Sequence, residues 1–368
     1  MTSRSSGVEI GVIGAGLSGL ATGVLLADIG YSVHVFEARD CPGGRIQSVT
    51  DRTGRYLADL GPTWVWPAFQ PTITRWLEKL DLTTFEQFEL GETLLDQGPD
   101  HPVESRLLST GQSGHQRLLG GPQAMIDRLR ARLPACSLRT GSPVVEVDLV
   151  GDRIALKVSG EVSPGAFTVD HLIVALPPRL ALMGIAWRPA LPQALSQALG
   201  GMPTWMAQHA KAVAFFDRAF WRERGRSGRI LSRVGPLVEV HDHSGPDGEP
   251  AALFGFVGWP SDVRNKLGGD LELHVRDQLQ RCLGQAGDVP TSVHIKDWAK
   301  DPLVAVHRDL ADPIDHPKPG PAIIREAQFG GRLWFAGSET AEQSPGLIEG
   351  ALVAAEQAVA RLTARTGS

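Results

Sequence analysis

The sequence predicts an α/β protein whose first domain is interrupted by a second one built mainly from β-sheet. Three observations carry that expectation. The first forty residues hold a βαβ pattern around a glycine-rich turn, and strand-like patterns predominate from Ala207 to Trp298. The chain then closes on an apolar strand, Leu333 to Ala336, and a helical pattern from about Leu347 to Leu362.

The N-terminal unit is the most specific of these. Val8 to Ile13 is a continuous apolar run of strand length, Leu17 to Ile29 has helical apolar spacing, and Ser32 to Phe36 alternates before ending at Glu37. Between strand and helix stands Gly14-Ala15-Gly16-Leu17-Ser18-Gly19. A lone G-x-G-x-x-G means little in a chain with 42 glycines, but this one sits at a strand-to-helix turn. Gly14 permits the turn, Gly16 lets backbone N–H groups approach a pyrophosphate, and Gly19 lets the helix pack closely on the strand. The phosphates then meet the positive end of the helix, where Ser18 lies in the first turn. Glu37, 18 residues after Gly19, is placed to accept hydrogen bonds from an adenosine ribose and to disfavour a 2′-phosphate. The expectation is a Rossmann-like dinucleotide-binding domain.

Beyond residue 60 the patterns predict a helix over Pro71 to Leu80, strands within Thr83 to Leu95, a polar stretch with a GQSGH turn within Gln97 to Gly120, and a helix over Gln123 to Leu133. Val144 to Asp148 and Ile154 to Val158 read as a meander. Leu172 to Leu176 reads as a buried strand closed by Pro177-Pro178, and Gly269 to Leu283 as a helix. No internal repeat or low-complexity segment interrupts them. The nucleotide domain is therefore expected to be discontinuous, over 7–62, 120–180 and 318–364. The excursions 63–119 and 181–317 form the substrate domain.

Composition removes whole classes of function. The 368 residues are 42% hydrophobic, enough for a large core, and the formal net charge of -5 offers no basic stripe for nucleic acid or an anionic membrane. Cys41, Cys136 and Cys282 are far apart and odd in number, which suggests neither a disulfide framework nor a zinc site and suits the reducing cytoplasm. The first apolar run is too short for a signal segment, and none reaches the roughly 18 residues of a membrane span. A soluble cytoplasmic protein without a metal is expected.

Several segments, in this order, resemble the flavin-containing amine oxidases, monoamine oxidase-like FAD-dependent oxidoreductases. The dinucleotide turn continues as Glu37-Ala38-Arg39-Asp40 and Gly43-Gly44-Arg45. The resemblance implies that this stretch wraps the FAD pyrophosphate, with Arg39 and Arg45 as counter-charges. Asp59-Leu60-Gly61-Pro62-Thr63-Trp64 is similar to the segment beneath the flavin ring, and Pro143-Val144-Val145 to the strand whose backbone meets the adenine. Asp297-Trp298 resembles another cofactor segment. Trp334 to Thr340, with Gly337-Ser338 at its centre, and Gly346-Leu347-Ile348-Glu349-Gly350-Ala351 resemble the C-terminal signature. A helix starting near Leu347 would aim its dipole at the flavin C2 carbonyl.

Lys211, within His209-Ala210-Lys211-Ala212-Val213-Ala214-Phe215-Phe216, resembles the lysine that holds a water against flavin N5 in that family. In so apolar a strand, burial would lower its pKa toward neutrality. Expected site residues are therefore Lys211 for catalysis and Trp64, His307 and Leu347 around the substrate. The resemblance implies hydride transfer from a carbon beside an amine nitrogen to flavin N5, hydrolysis of the imine by water, and reoxidation by O2.

Two departures qualify this. The family's paired aromatic cage is missing, since its positions read Leu347 and the non-aromatic Leu303-Val304-Ala305-Val306-His307-Arg308, leaving Trp64 and Trp66 to line an apolar pocket. Only about forty residues separate Leu80 from Gly120, where larger members carry most of a helical lid. A bulky substrate, a second subunit of a homo-oligomer or a more open pocket would then take the lid's place. These departures keep two alternatives open, a desaturase or dehydrogenase of a bulky secondary metabolite and a non-catalytic FAD-stabilised interaction or electron-transfer module. No cysteine follows Cys282, so non-covalent FAD is expected, His307 being the only aligned candidate for a linkage. His241-Asp242-His243 reads as the end of a hairpin, and the arginines at 222, 224, 226 and 229 as a solvated hairpin tip.

Overall fold

The structure is a computed structural model that describes residues 7–108, 114–160, 165–284, 288–313 and 315–366. Part of the expected GQSGH turn lies outside the described residues. Four runs read from the sequence, with the short strand Leu138–Arg139 at one edge, form a five-stranded parallel sheet. Its order is Leu138–Arg139, Ser32–Phe36, Glu9–Ile13, His171–Val174 and Leu333–Phe335. Ile13 pairs with Phe36 on one side and Val174 on the other, so the strands end together beside the glycine turn.

Helices cover one face of that sheet. Leu17–Asp28 is buried along most of its length because it lies between the strands and the closing helix Ile348–Thr366. Ile73 and Trp76 of Pro71–Leu80 and Met125, Ile126 and Leu129 of Gln123–Arg132 join the same core. On the opposite face Val147, Ile154 and Leu156 of a four-stranded sheet pack against Leu172, Val174 and Phe335.

A seven-stranded sheet, Ser292–Asp297, Ala210–Phe215, Ala252–Val257, Leu237–Asp242, Arg226–Ser232, Glu92–Asp96 and Glu104–Arg106, draws on the other segments. Helix Asp270–Leu283 buries Leu271, Val275 and Leu279 against its back. Its front packs Val213 and Phe254 against Val49, Ala58 and Leu60 of the hairpin Ser48–Thr50/Tyr56–Asp59. That hairpin, which follows the dinucleotide turn in the chain, packs against the sheet holding Lys211.

Between Leu80 and Gly120 the described residues form strands, including Thr84–Glu86 and Gln116–Leu118, and no helix. Two expectations need correction. Pro177-Pro178 does not simply end a strand, because Pro178 opens helix Pro178–Gly184, with Gln193–Gly200 following. A proline at the first helical position loses no helical hydrogen bond, so a stop signal serves equally as a start. The arginine run is not a solvated tip, since Arg222 grips Asp242 through two nitrogens at 2.8 and 2.7 Å, and Arg224 and Arg229 pair with Asp288 and Glu239. Among the described residues no helix is long and apolar enough to cross a membrane, and no three His, Cys, Asp or Glu converge as a metal site.

Candidate active site

One elongated cavity runs from the glycine turn to the start of the closing helix. Gly14, Gly16, Ser18, Glu37, Arg39, Gly44, Arg45, Pro62, Val144, Gly337, Ser338, Leu347 and Ile348 all line it. The strand ends bring the first of these together, and the turn after Leu333–Phe335 brings the last.

Two glycines show what the cavity is shaped for. A Cβ on Gly19 would lie 1.8 Å from the Gly14 carbonyl oxygen, so Gly19 serves the contact between helix and strand and does not line the cavity. A Cβ on Gly16 would meet nothing nearer than the Gly44 Cα at 3.8 Å. The space beside Gly16 is therefore room kept for a ligand. Gly16 also caps helix Leu17–Asp28 without a side-chain hydrogen bond, leaving the first-turn N–H groups for an anion. The Ser18 hydroxyl donates to the Ala336 carbonyl and pins the turn to the C-terminal strand.

Glu37 is buried and held rigidly. Its two carboxylate oxygens accept the backbone N–H groups of Ala15 at 2.8 Å and Arg39 at 2.9 Å, with lone pairs remaining on the cavity side. The arginines expected as counter-charges line the cavity with carboxylate partners of their own. Arg39 pairs with Asp301 at 2.8 Å, while Arg45 grips Glu339 at 2.6 and 3.0 Å and Ser338 at 2.8 Å. Each brings its own carboxylate, so the uncommitted positive end of the cavity is the helix terminus. Turn, acid and open helix end together suit the pyrophosphate and ribose of a dinucleotide.

Lys211 is 3% exposed in the middle of a wholly buried strand. Its ammonium donates to the Gly61 carbonyl at 3.0 Å and to the Thr63 hydroxyl, either side of the cavity-lining Pro62. The Phe254 ring lies 4.1 Å away. Burial pushes the Lys211 pKa down to about 7, against the Asp59 carboxylate, which raises it, and Arg117, which lowers it further.

Trp64 does not border the cavity. Its ring meets His241 at 4.8 Å, His115 at 5.1 Å and Phe254 at 5.2 Å, and its indole N–H donates to Gln87 at 2.8 Å. Trp298 is also outside; its indole N–H donates to the Leu60 carbonyl at 3.2 Å and fixes the segment leading to Gly61 and Thr63. The structure does not bring His307 to the site. After Trp298–Lys300 the Asp301 carboxylate accepts the Leu303 N–H and turns the chain, so Leu303 and Val304 line the cavity while His307 is exposed at the start of helix His307–Ala311. An ungapped register through a turn misplaced it.

Asp59, Tyr56, Arg117 and His243 were not recognised as site residues, yet they form a buried group beside Lys211. Asp59 opens the segment read as lying beneath the flavin and His243 ends the hairpin, but no motif links either to Lys211, because the four positions converge only through packing. His243 ends the hairpin, as read, but its ring turns inward.

The profile of the flavin containing amine oxidoreductases matches residues 101–363, and that of an NAD(P)-binding Rossmann-like domain matches 12–80. Amine oxidase [flavin-containing] B of Cavia porcellus is 23% identical over 467 aligned positions, covering 96% of this chain and 86% of that protein. The A form of Sus scrofa is 24% identical, covering 95% and 84%. Among solved structures, wild-type putrescine oxidase bound to putrescine superimposes with a TM-score of 0.80 at 20% identity, covering 97% of this chain and 99% of that one. Cyclohexylamine oxidase from Brevibacterium oxydans IH-35A gives 0.80 at 18% identity, covering 98% and 100%.

Proposed function

The chain belongs to the flavin-containing amine oxidoreductase family, and from that membership we propose that it oxidises the C–N bond of an amine, passes the electrons to O2 and releases the hydrolysed imine. It is a flavin-dependent oxidoreductase, and its cofactor is FAD. Bound FAD supplies the two-electron acceptor, a hydride sink at N5.

The protein's own residues supply position, dryness and protons. The first-turn N–H groups of Leu17–Asp28 hold the pyrophosphate, Glu37 holds the ribose, and the start of Ile348–Thr366 presents a second positive helix end beside Leu347 and Ile348. Pro62 lines the cavity between Gly61 and Thr63, to which Lys211 is tied. In this reading the segments 7–62, 120–180 and 318–364 hold the cofactor, and 63–119 with 181–317 face the substrate. Phe254, Phe256 and Trp64 keep bulk water from the Lys211 side.

The observation that carries the reading is Lys211, a fully buried lysine adjoining the cavity wall with a pKa near 7. Such a group holds or yields a proton at working pH, as substrate amine deprotonation and flavin reoxidation both require. The amines named for the solved relatives, putrescine and cyclohexylamine, suggest the substrate class. Leu347 in the cavity and the lack of a helix among the described residues between Leu80 and Gly120 favour a bulkier amine, and keep a dehydrogenase or desaturase as the second reading. Incubating the yellow protein in air with diamines, cycloalkylamines and polycyclic amines, and assaying peroxide and carbonyl product, tests the proposal. Stoichiometric peroxide and carbonyl are expected from at least one. Oxidation without peroxide would replace oxidase by dehydrogenase, and no oxidation of any amine would contradict the proposal.

A further inference from the structure

Behind Lys211 the fold seals a group of ionisable side chains that the dinucleotide cavity does not use. Asp59 is 2% exposed, Arg117 3% and His243 0%, and the half-buried Tyr56 lies against them. They arrive on the hairpin strand Tyr56–Asp59, the strand Gln116–Leu118 and the end of Leu237–Asp242. Gly121 closes the group, because a Cβ there would lie 2.3 Å from the Tyr56 ring and 2.6 Å from an Asp59 oxygen.

The hydrogen bonds leave one acid without a fixed proton state. Asp59 N–H donates to His243 Nε2 at 2.9 Å, which commits that ring nitrogen as an acceptor and keeps the imidazole neutral. The same nitrogen stands 3.5 Å from Asp59 Oδ2, a buried oxygen with no hydrogen-bond partner. Arg117 spends its terminal nitrogens on the carbonyls of Ser244 at 2.7 Å and His243 at 2.9 Å. Lys211 spends its own on Gly61 and Thr63. Asp59 therefore feels both cations through space, without a direct ion pair to either.

We propose that Asp59 is the positioning residue for Lys211, the two sharing one proton inside this sealed group so that Asp59 decides whether the Lys211 nitrogen is an ammonium or an amine. The step is a proton transfer alone. A carboxylic acid and an amine become a carboxylate and an ammonium, or the reverse, and no electrons move. Burial, opposed by Lys211 and Arg117, raises Asp59 to about 6 while it lowers Lys211 to about 7, so the two forms lie close in energy. Tyr56 and Ser48 favour the Asp59 anion by hydrogen bonding, and burial keeps the adjacent His243 neutral, so it adds no charge to the pair.

The inference rests on the reading that Lys211 acts at the flavin, and its test separates the two. The FAD-loaded wild type, Asp59→Asn, Tyr56→Phe, Lys211→Met and the double variant Asp59→Asn/Lys211→Met are titrated from pH 5 to 9 while the visible flavin spectrum is recorded without substrate. A transition near neutral pH is expected in the wild type and absent from Lys211→Met. Without the anion, Lys211 gives up its proton more easily. The Asp59→Asn midpoint should fall by about one pH unit or more, and reoxidation at pH 7 should slow about fivefold, because the ammonium fraction drops from about a half to about a tenth. Tyr56→Phe, a substitution that keeps the ring, should move the midpoint the same way by less, and it carries the test should Asp59→Asn fail to fold. In the Lys211→Met background, Asp59→Asn should add nothing.

A midpoint unmoved in Asp59→Asn, or in Tyr56→Phe when it stands in for that variant, overturns the pairing, as does an equal slowing in both backgrounds. Wild-type half-reaction rates in Lys211→Met would instead overturn the reading of Lys211 itself.

Discussion

Lys211 Nζ lies 3.0 Å from the carbonyl oxygen of Gly61, which ties the seven-stranded sheet to the segment entering the cavity wall at Pro62. Methionine keeps the stem volume but loses the donor and the charge. Lys211→Met is expected to retain FAD while flavin reduction or reoxidation slows by one to several orders of magnitude, on the order of a few kcal/mol in barrier. Stopped-flow measurement of both half-reactions checks this, and wild-type rates in both would make Lys211 structural.

The same lysine should leave a signature in stability. Its pKa is about 7 in the folded protein against the ordinary 10.5 of an exposed lysine, so between those pH values the unfolded chain binds more protons and stability rises with pH. Asp59 works in the opposite sense. Its pKa is about 6 folded against 3.8, so the folded state binds more protons in that window and stability falls as pH rises through it. Wild type minus Lys211→Met, followed by denaturant unfolding of the flavin-free proteins from pH 7.5 to 10, should show a positive slope approaching about 1.4 kcal/mol per pH unit. A flat difference would mean that the lysine is not buried with its charge.

The glycine turn separates folding from cofactor binding. Gly16→Val has room for its side chain only in the cavity, so the protein should fold and lose FAD, whereas Gly19→Val should fail to fold because its Cβ would strike the Gly14 carbonyl. Glu37→Ala should also weaken FAD retention, by loss of the ribose acceptor and of the Ala15 and Arg39 contacts. Wild-type FAD should co-purify and be released by heat or acid, because no cysteine follows Cys282 and His307 is exposed away from the cavity. Flavin content in the folded and precipitated fractions reads all of these.

Glu349 supports the site from a distance. Its carboxylate accepts the N–H groups of Thr72 at 3.0 Å and Ile73 at 2.6 Å, joining the closing helix to the start of Pro71–Leu80 across 277 and 276 residues of chain. Removing it strands two buried donors at a positive helix end. Glu349→Ala should cost roughly 3–6 kcal/mol in denaturant unfolding, each of the two charge-assisted bonds being worth about 1.5–3. Glu349→Gln, which keeps an acceptor, should cost less.

Much of this architecture is readable from the chain because its signals are local. The pattern from Leu17 to Ile29 and the segment Pro71 to Leu80 carry continuous periodicity and end at clear breakers, and the helices Leu17–Asp28 and Pro71–Leu80 match them closely. The short helices after Pro177 have no such length. Within the cavity, Glu37 and the glycines are legible because a dinucleotide turn has fixed spacing. Asp59, Arg117 and His243 meet Lys211 only through hairpin-on-sheet packing, which no spacing records. The arginine run misleads for the same reason, since its partners Asp242, Asp288 and Glu239 lie elsewhere in the chain.

The central claim, that an amine delivers its electrons to FAD in this cavity, is tested most directly by mixing the yellow protein with an amine panel in the absence of oxygen and following the visible flavin band in a single turnover. The account predicts rapid bleaching by at least one amine, with a carbonyl product equal to the flavin present and slowing in Lys211→Met. A flavin that chemical reductants bleach but no amine in the panel does would contradict it.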